Sequence, residues 1–168
     1  MTWANSLAYC LKQANISLVS YVPDTNLQEL ITLLEKDRFF RVVYATREEE
    51  AIGIAIGSYS VGRNAAVCMQ SSGFGNSINA ISSLCIPYRI PLPCIINLRG
   101  DLGEFNICQV PLGRSVRPIL DVLGLQHYTI TDEIDINKIV PGAIKLCYSS
   151  RQPVVVCLTP QLHGGKNV

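Results

Sequence analysis

Apolar and polar positions alternate along the chain between two periods. Residues 5–14 carry apolar side chains at helical spacing, and SLVSYV (17–22) is a near-continuous apolar run of strand length. The turn-like PDTN (23–26) follows, with Thr25 or Asn26 suited to cap a helix over LQELITLLEK (27–36). FRVVYA (40–45) predicts a second strand, residues 48–62 a helix and AAVCM (65–69) a third strand. QSSGFGN (70–76) reads as a glycine-bearing loop, followed by a helix from Ser77 to Leu84 and a fourth strand within 90–98. A loop of roughly 18 residues leads to a helix at 116–123. A strand at 127–130, a helix at 133–149 and a last strand, VVVCL (154–158), complete the pattern.

Strands separated by helices imply right-handed crossovers. Strands that are apolar throughout imply a sheet covered on both faces. The expected fold is an α/β three-layer sandwich with a central, mainly parallel, six-stranded sheet. No internal repeat, linker or low-complexity segment divides it, so residues 1–168 are expected to form a single domain. Ligands of such sheets collect beyond the carboxyl ends of the strands. PDTN, TREEE, QSSGFGN and the loop after residue 98 all fall on that edge.

Composition narrows the partners. Only 16% of residues are charged, against about 25% in ordinary globular domains. That poverty implies that part of the surface is covered by another chain. A net charge of +1 gives no electrostatic reason to expect nucleic acid or an anionic membrane. No apolar run approaches the length of a membrane span, and the N-terminal residues lack the order of a signal peptide. Seven cysteines without a CxxC pair, three of them (Cys68, Cys94, Cys157) inside apolar strands, point to neutral buried thiols in a reducing cytosol.

Three stretches hold candidate chemistry. Gly73 and Gly75 form a GxG after a strand, but Ile78 stands where a dinucleotide fingerprint needs its third glycine. The glycines then serve positive φ, close backbone packing, or approach to a ligand or partner chain. The loop after residue 98 offers Arg99, Gln109 and Arg114 to an anionic substrate, since a guanidinium fork matches carboxylate, sulfonate or phosphonate oxygens. His127 and His163 lack neighbouring ligands at metal spacing and read as structural, and no metal site is expected in the chain. Glu48, Glu49 and Glu50 occupy the first turn of a helix, where the macrodipole needs only one or two acids. Successive helical residues diverge by about 100°, so one of the three turns toward the sheet edge. A carboxylate in low dielectric there is suited to exchange a proton with a ligand nitrogen.

Glu48 followed by Ala51, Gly53, Ala55 and Gly57 resembles the glutamate-helix motif of the pyrimidine-binding domain of thiamine-diphosphate enzymes. VPDTN and MQSSGFGNSINAISSL resemble loops of the phosphonopyruvate and sulfopyruvate decarboxylases. The segment 98–124 is most similar to alpha subunits of the latter. The resemblance runs over nearly the whole chain. It implies that Glu48 hydrogen-bonds the pyrimidine N1′ of thiamine diphosphate and promotes the tautomer that activates thiazolium C2. It further implies that Asp24 and Thr25 lie near the reacting carbon, and that Gln70, Ser71, Gly73, Gly75 and Asn76 line the cofactor cleft. The family binds diphosphate and Mg²⁺ through a GDG motif and a later Asn. This chain has no GDG, so the resemblance implies a beta subunit that carries it. The expected activity is decarboxylation of 3-sulfopyruvate to sulfoacetaldehyde, as in coenzyme M biosynthesis. The alternatives are phosphonopyruvate as substrate, or a non-catalytic interaction subunit of the same fold.

Overall fold

The computed structural model describes residues 2–164. In chain order it contains α1 (Trp3–Gln13), β1 (Leu18–Tyr21), α2 (Gln28–Lys36), β2 (Arg41–Tyr44), α3 (Glu48–Ser60) and β3 (Ala65–Gln70). These are followed by α4 (Ser71–Ala80), β4 (Pro93–Asn97), α5 (Val110–Val122), β5 (Gln126–Ile130), α6 (Glu133–Ser150), β6 (Val154–Leu158) and the single turn α7 (Pro160–His163). The six strands form one sheet in the order β2-β1-β3-β4-β6-β5, and every neighbouring pair is parallel.

Two cores flank the sheet. One packs α1, α2 and α6 through Leu7, Leu11, Leu30, Leu34, Ile136 and Val140. The other packs α3, α4 and α5 through Ala51, Ala55, Phe74, Ile81, Val116 and Leu120. The central strands β3, β4 and β6 are buried almost end to end, as their unbroken apolar runs require. Six cysteines lie in this interior and Cys108 is exposed, and all seven are free thiols. Burial pushes the Cys68 and Cys157 thiols up to about 12, so both are neutral packing groups. Among the described residues no helix is long and apolar enough to cross a membrane.

Two elements depart from the expectation, besides the start of α2, where Asp24 rather than Thr25 or Asn26 supplies the side-chain cap, on the turn that precedes the helix. QSSGFGN is not a loop: α4 starts at Ser71, immediately after β3, and carries Gly73 and Gly75 in helical conformation. Their use is therefore not positive φ. A β-carbon at Gly73 would meet Glu48 and one at Gly75 would meet Leu112, so the glycines admit neighbouring groups. The second departure is α5, which begins at Val110 rather than 116, with Pro111 in its first turn where no N–H is required. Gly113 is its contact point. A β-carbon there would fall 1.9 Å from the Arg99 carbonyl oxygen, so only glycine lets α5 seat on the chain leaving β4. The preceding loop is correspondingly shorter and contains a 3₁₀ turn at Ile107–Gln109.

The strand order reverses between β1 and β3, since β2 lies on one side of β1 and the rest of the sheet on the other. The carboxyl ends at that switch point carry Asp24, Gln70 and, one strand further, Asn97. Gln70 and Asn97 stand in register across β3 and β4.

Candidate active site

The first turn of α3 sorts its three acids by direction. Glu50 folds back, and its Oε2 accepts hydrogen bonds from the Thr46 N–H and hydroxyl, both at 2.7 Å. Glu49 is half-buried, with Arg47 3.7 Å away. Glu48 turns furthest inward and is 8% exposed, while Glu49 buries one oxygen, Oε2, without a hydrogen-bond partner. Its carboxylate lies over Gly73, where a β-carbon would stand 2.4 Å from Oε1 and 2.5 Å from Cγ. Asn76, one helical turn along α4, donates from Nδ2 to Glu48 Oε2 at 3.3 Å. α4 thus holds one carboxylate oxygen and clears room for the other.

The first turn of α4 also forms the wall of a second cluster. Ser71 is fully buried, donates to the Asn97 carbonyl at 3.3 Å and accepts from the Arg99 N–H at 2.8 Å. Asn97, at the end of β4 and fully buried, donates from Nδ2 to Asp24 Oδ2. Asp24 Oδ1 caps the turn Thr25–Leu27 by accepting from the Asn26 N–H. Thr25 is exposed at the same corner. Gln70 ends β3, and its Oε1 is buried without a partner.

The arginines divide. Arg99, expected as an anion anchor, is 6% exposed, and its Nε and Nη2 lie 2.6 and 2.8 Å from the two oxygens of Glu104. Glu104 also accepts from the Gly100 and Asn106 N–H groups. This dense donor set, led by the Arg99 guanidinium, holds the Glu104 carboxyl down at about 2, and the pairing raises Arg99 in turn. Arg99 is therefore a staple of the loop, directed inward. Arg114 is exposed and lines a cleft of about 540 Å³ with Asp101, Leu102, Val110, Gly113 and Arg117. Arg117 is engaged with Asp101 at 3.1 Å and Thr129 at 3.2 Å. Gln109 lies half-buried at the start of α5 and is not among the residues lining that cleft.

Sequence reasoning missed Asn97, His163 and Glu104. Asn97 had only its polarity at an apolar strand end as a signal, and Glu104 only its place in the loop that carries Arg99. His163 reads from sequence only as structural, and its Nε2 lies 2.8 Å from Asn97 Oδ1. His127 is a surface partner of Asp121 at 3.0 Å. Among the described residues no group of three or more His, Cys, Asp or Glu is arranged to hold a metal ion.

A buried carboxylate seated against the bare backbone of Gly73, with an unpartnered amide oxygen at the end of β3, suits a polar heteroaromatic ring. Glu48 presents an acceptor or, when protonated, a donor to a ring nitrogen. Gln70 presents a carbonyl to an N–H. The residues present therefore fit an aminopyrimidine.

Comparison with known proteins agrees. Residues 1–97 match the family model described as thiamine pyrophosphate enzyme, N-terminal TPP binding domain. The sulfopyruvate decarboxylase subunit alpha of Methanocaldococcus jannaschii is 41% identical over 146 residues, covering 87% of this chain and 86% of the relative. The phosphonopyruvate decarboxylase of Streptomyces viridochromogenes is 31% identical over 96% of this chain but only 41% of its own length. Among solved structures, a 2-oxoglutarate:ferredoxin oxidoreductase from Magnetococcus marinus superposes with a TM-score of 0.78 over 97% of this chain and 29% of its own, at 15% identity. That likeness extends to the fold.

Proposed function

The chain belongs to the thiamine pyrophosphate enzymes and, within them, to the alpha subunits of sulfopyruvate decarboxylase, and from that premise we propose how its residues serve the reaction. It is a single pyrimidine-binding domain, one half of a hetero-oligomeric decarboxylase that converts 3-sulfopyruvate to sulfoacetaldehyde and CO₂. The observation that carries the reading is Glu48: one acid of three, buried, cleared by Gly73 and held on one side by Asn76.

Thiamine diphosphate, when bound, supplies the nucleophilic ring carbon and the electron sink that a 2-oxo acid needs to release CO₂. Glu48 would hold the pyrimidine ring through its carboxylate and supply or take up a proton there, while Asn76 keeps Oε2 occupied. Gln70 and Ser71 form the floor beside it. Asp24, anchored by Asn97, presents a carboxylate at the mouth of β1 and, with Thr25, orients the reacting part of the substrate. Arg114 faces the anionic group of the substrate from the cleft beside α5.

The diphosphate and Mg²⁺ fall to a beta subunit with a GDG motif, because this sequence has none. Its docking surface includes the outer side of α3. Gly53 and Gly57 are exposed there, and a β-carbon at either meets nothing within 4 Å. Exposed Tyr44, Leu102, Phe105 and Ile107 border the same sheet edge. The free cysteines suit a reducing cytoplasm.

The test is steady-state turnover of the two-subunit complex with Glu48→Gln in this chain. The expected outcome is a loss of about 10²–10⁴-fold with assembly intact. Undiminished turnover would favour an interaction subunit instead. Rates on 3-sulfopyruvate and phosphonopyruvate, measured side by side, decide the substrate. Two relatives named for the sulfonate match this chain over 86% and 95% of their own length, whereas the phosphonate relative at 41%, and one further sulfonate relative at 38%, are longer chains.

A further inference from the structure

His163 is a half-buried titratable group at the sheet edge that the reading above leaves unused. It sits at the end of α7, 66 residues beyond Asn97 in sequence, and its imidazole edge meets that side chain at 2.8 Å. We propose that His163 is a positioning residue for Asp24, acting through the Asn97 amide. The proposal rests on the decarboxylase reading for its consequence, though not for its geometry.

The chemistry of the three groups sets the direction of each bond. The Asp24 carboxylate accepts, so the Asn97 group facing it is the NH₂. Asn97 therefore turns its carbonyl oxygen to His163. An amide oxygen carries no proton, so His163 Nε2 must donate. A neutral imidazole has one N–H, which leaves Nδ1 as an unprotonated lone pair. Nδ1 is buried and has no partner, as that tautomer requires at least cost. Protonation would place an unpaired N–H donor in the same dry spot. Burial accordingly lowers the His163 pKa; Asp24 opposes this and Arg99 adds to it.

The imidazole is also braced. Trp3, 6% exposed on α1, places its ring 6.2 Å from that of His163 at 57°. α7 is held to the sheet by Thr159, whose N–H and hydroxyl both donate to the Ile130 carbonyl at 3.1 Å. The array runs from α1 through α7 to the end of β4 and on to the loop after β1. Its effect is to fix the Asn97 rotamer and hence the Asp24 carboxylate. Without the imidazole donor, a buried amide oxygen loses its partner and Asn97 is free to rotate off Asp24.

The test uses the full complex with thiamine diphosphate and Mg²⁺. His163→Phe retains ring packing and removes the donor. His163→Gln restores an N–H toward Asn97. The first variant is expected to lower kcat about tenfold, the weight of one buried hydrogen bond, with KM and cofactor affinity unchanged. The second is expected to recover most of the rate. In a double mutant with Asp24→Asn, His163→Phe should add no further loss, because both act at one carboxylate. Wild-type kcat in His163→Phe, or losses that multiply in the double mutant, would overturn the proposal. A purely packing role predicts lowered thermal stability without this coupling. Histidine ¹⁵N spectra of the full-length chain give an independent readout. The Nε2–H tautomer is expected in the wild type and is lost in Asn97→Ala. Should the wild-type complex fail to decarboxylate, the functional reading falls while the tautomer still reports on the array.

Discussion

The Glu48 carboxylate occupies the space that a side chain at Gly73 would need, with Oε1 2.4 Å from the position of a β-carbon. Two helices of different crossovers, α3 and α4, meet there through a functional group and a missing one. The contact explains why a helix begins with so poor a helix former, since glycine costs about 1 kcal/mol against alanine in a helix interior.

Gly73→Ala should therefore separate stability from activity. The methyl group displaces the carboxylate, and turnover is expected to fall by about 10²-fold or more. The melting temperature should fall only modestly, because alanine favours the helix but the methyl group meets Glu48 Cγ as well as Oε1, so the whole buried side chain must shift. Turnover assays and thermal melts of the same preparation check both.

The Arg99–Glu104 pair makes the site loop sensitive to acid. The folded-state Glu104 carboxyl lies near 2, below its ordinary value of 4.5. Its contribution is thus fully present above pH 4.5 and is lost as pH falls toward 2. Glu104→Gln should abolish that segment of the pH–stability curve. At neutral pH it should cost about 3–5 kcal/mol, since it leaves a buried guanidinium without its counterion. Denaturant melts between pH 2 and 7 measure this.

The two candidate anchors should fail in different ways. Arg114→Ala, at the exposed cleft, is expected to raise KM for the anionic substrate by about tenfold with little change in melting temperature. Arg99→Ala should instead lower stability, because Glu104 loses its guanidinium partner. Michaelis constants and melts for both variants distinguish the roles.

Gly57→Leu tests the proposed docking face of α3. The position is open, so the isolated chain should be at least as stable as the wild type. A bulky side chain in a close helix contact costs about 1–3 kcal/mol, so affinity for the beta subunit should drop by roughly 10–100-fold. Sedimentation of the mixed subunits reads the result, and unchanged affinity would place the interface elsewhere.

Much of this protein is written locally. The alternation of apolar periods dictated strands separated by helices, and parallel pairing followed because each crossover must return to the same edge. The run of acids at 48–50 marked the start of α3, and the missing GDG implied a second chain, both matters of residue type and order. Where local signals misled, propensity was overruled by packing. Glycines at 73 and 75 read as a loop, but Glu48 and Leu112 need their bare backbones inside a helix. Pro111 and Gly113 hid the first half of α5 for the same reason. Only the tertiary structure decided that Arg99 turns to Glu104 rather than to solvent, and that His163 reaches Asn97 across the sheet edge. The first pair closes within one loop, but the second depends on which strand ends become neighbours, and β4 and β6 are adjacent only because α5, β5 and α6 loop out and return between them.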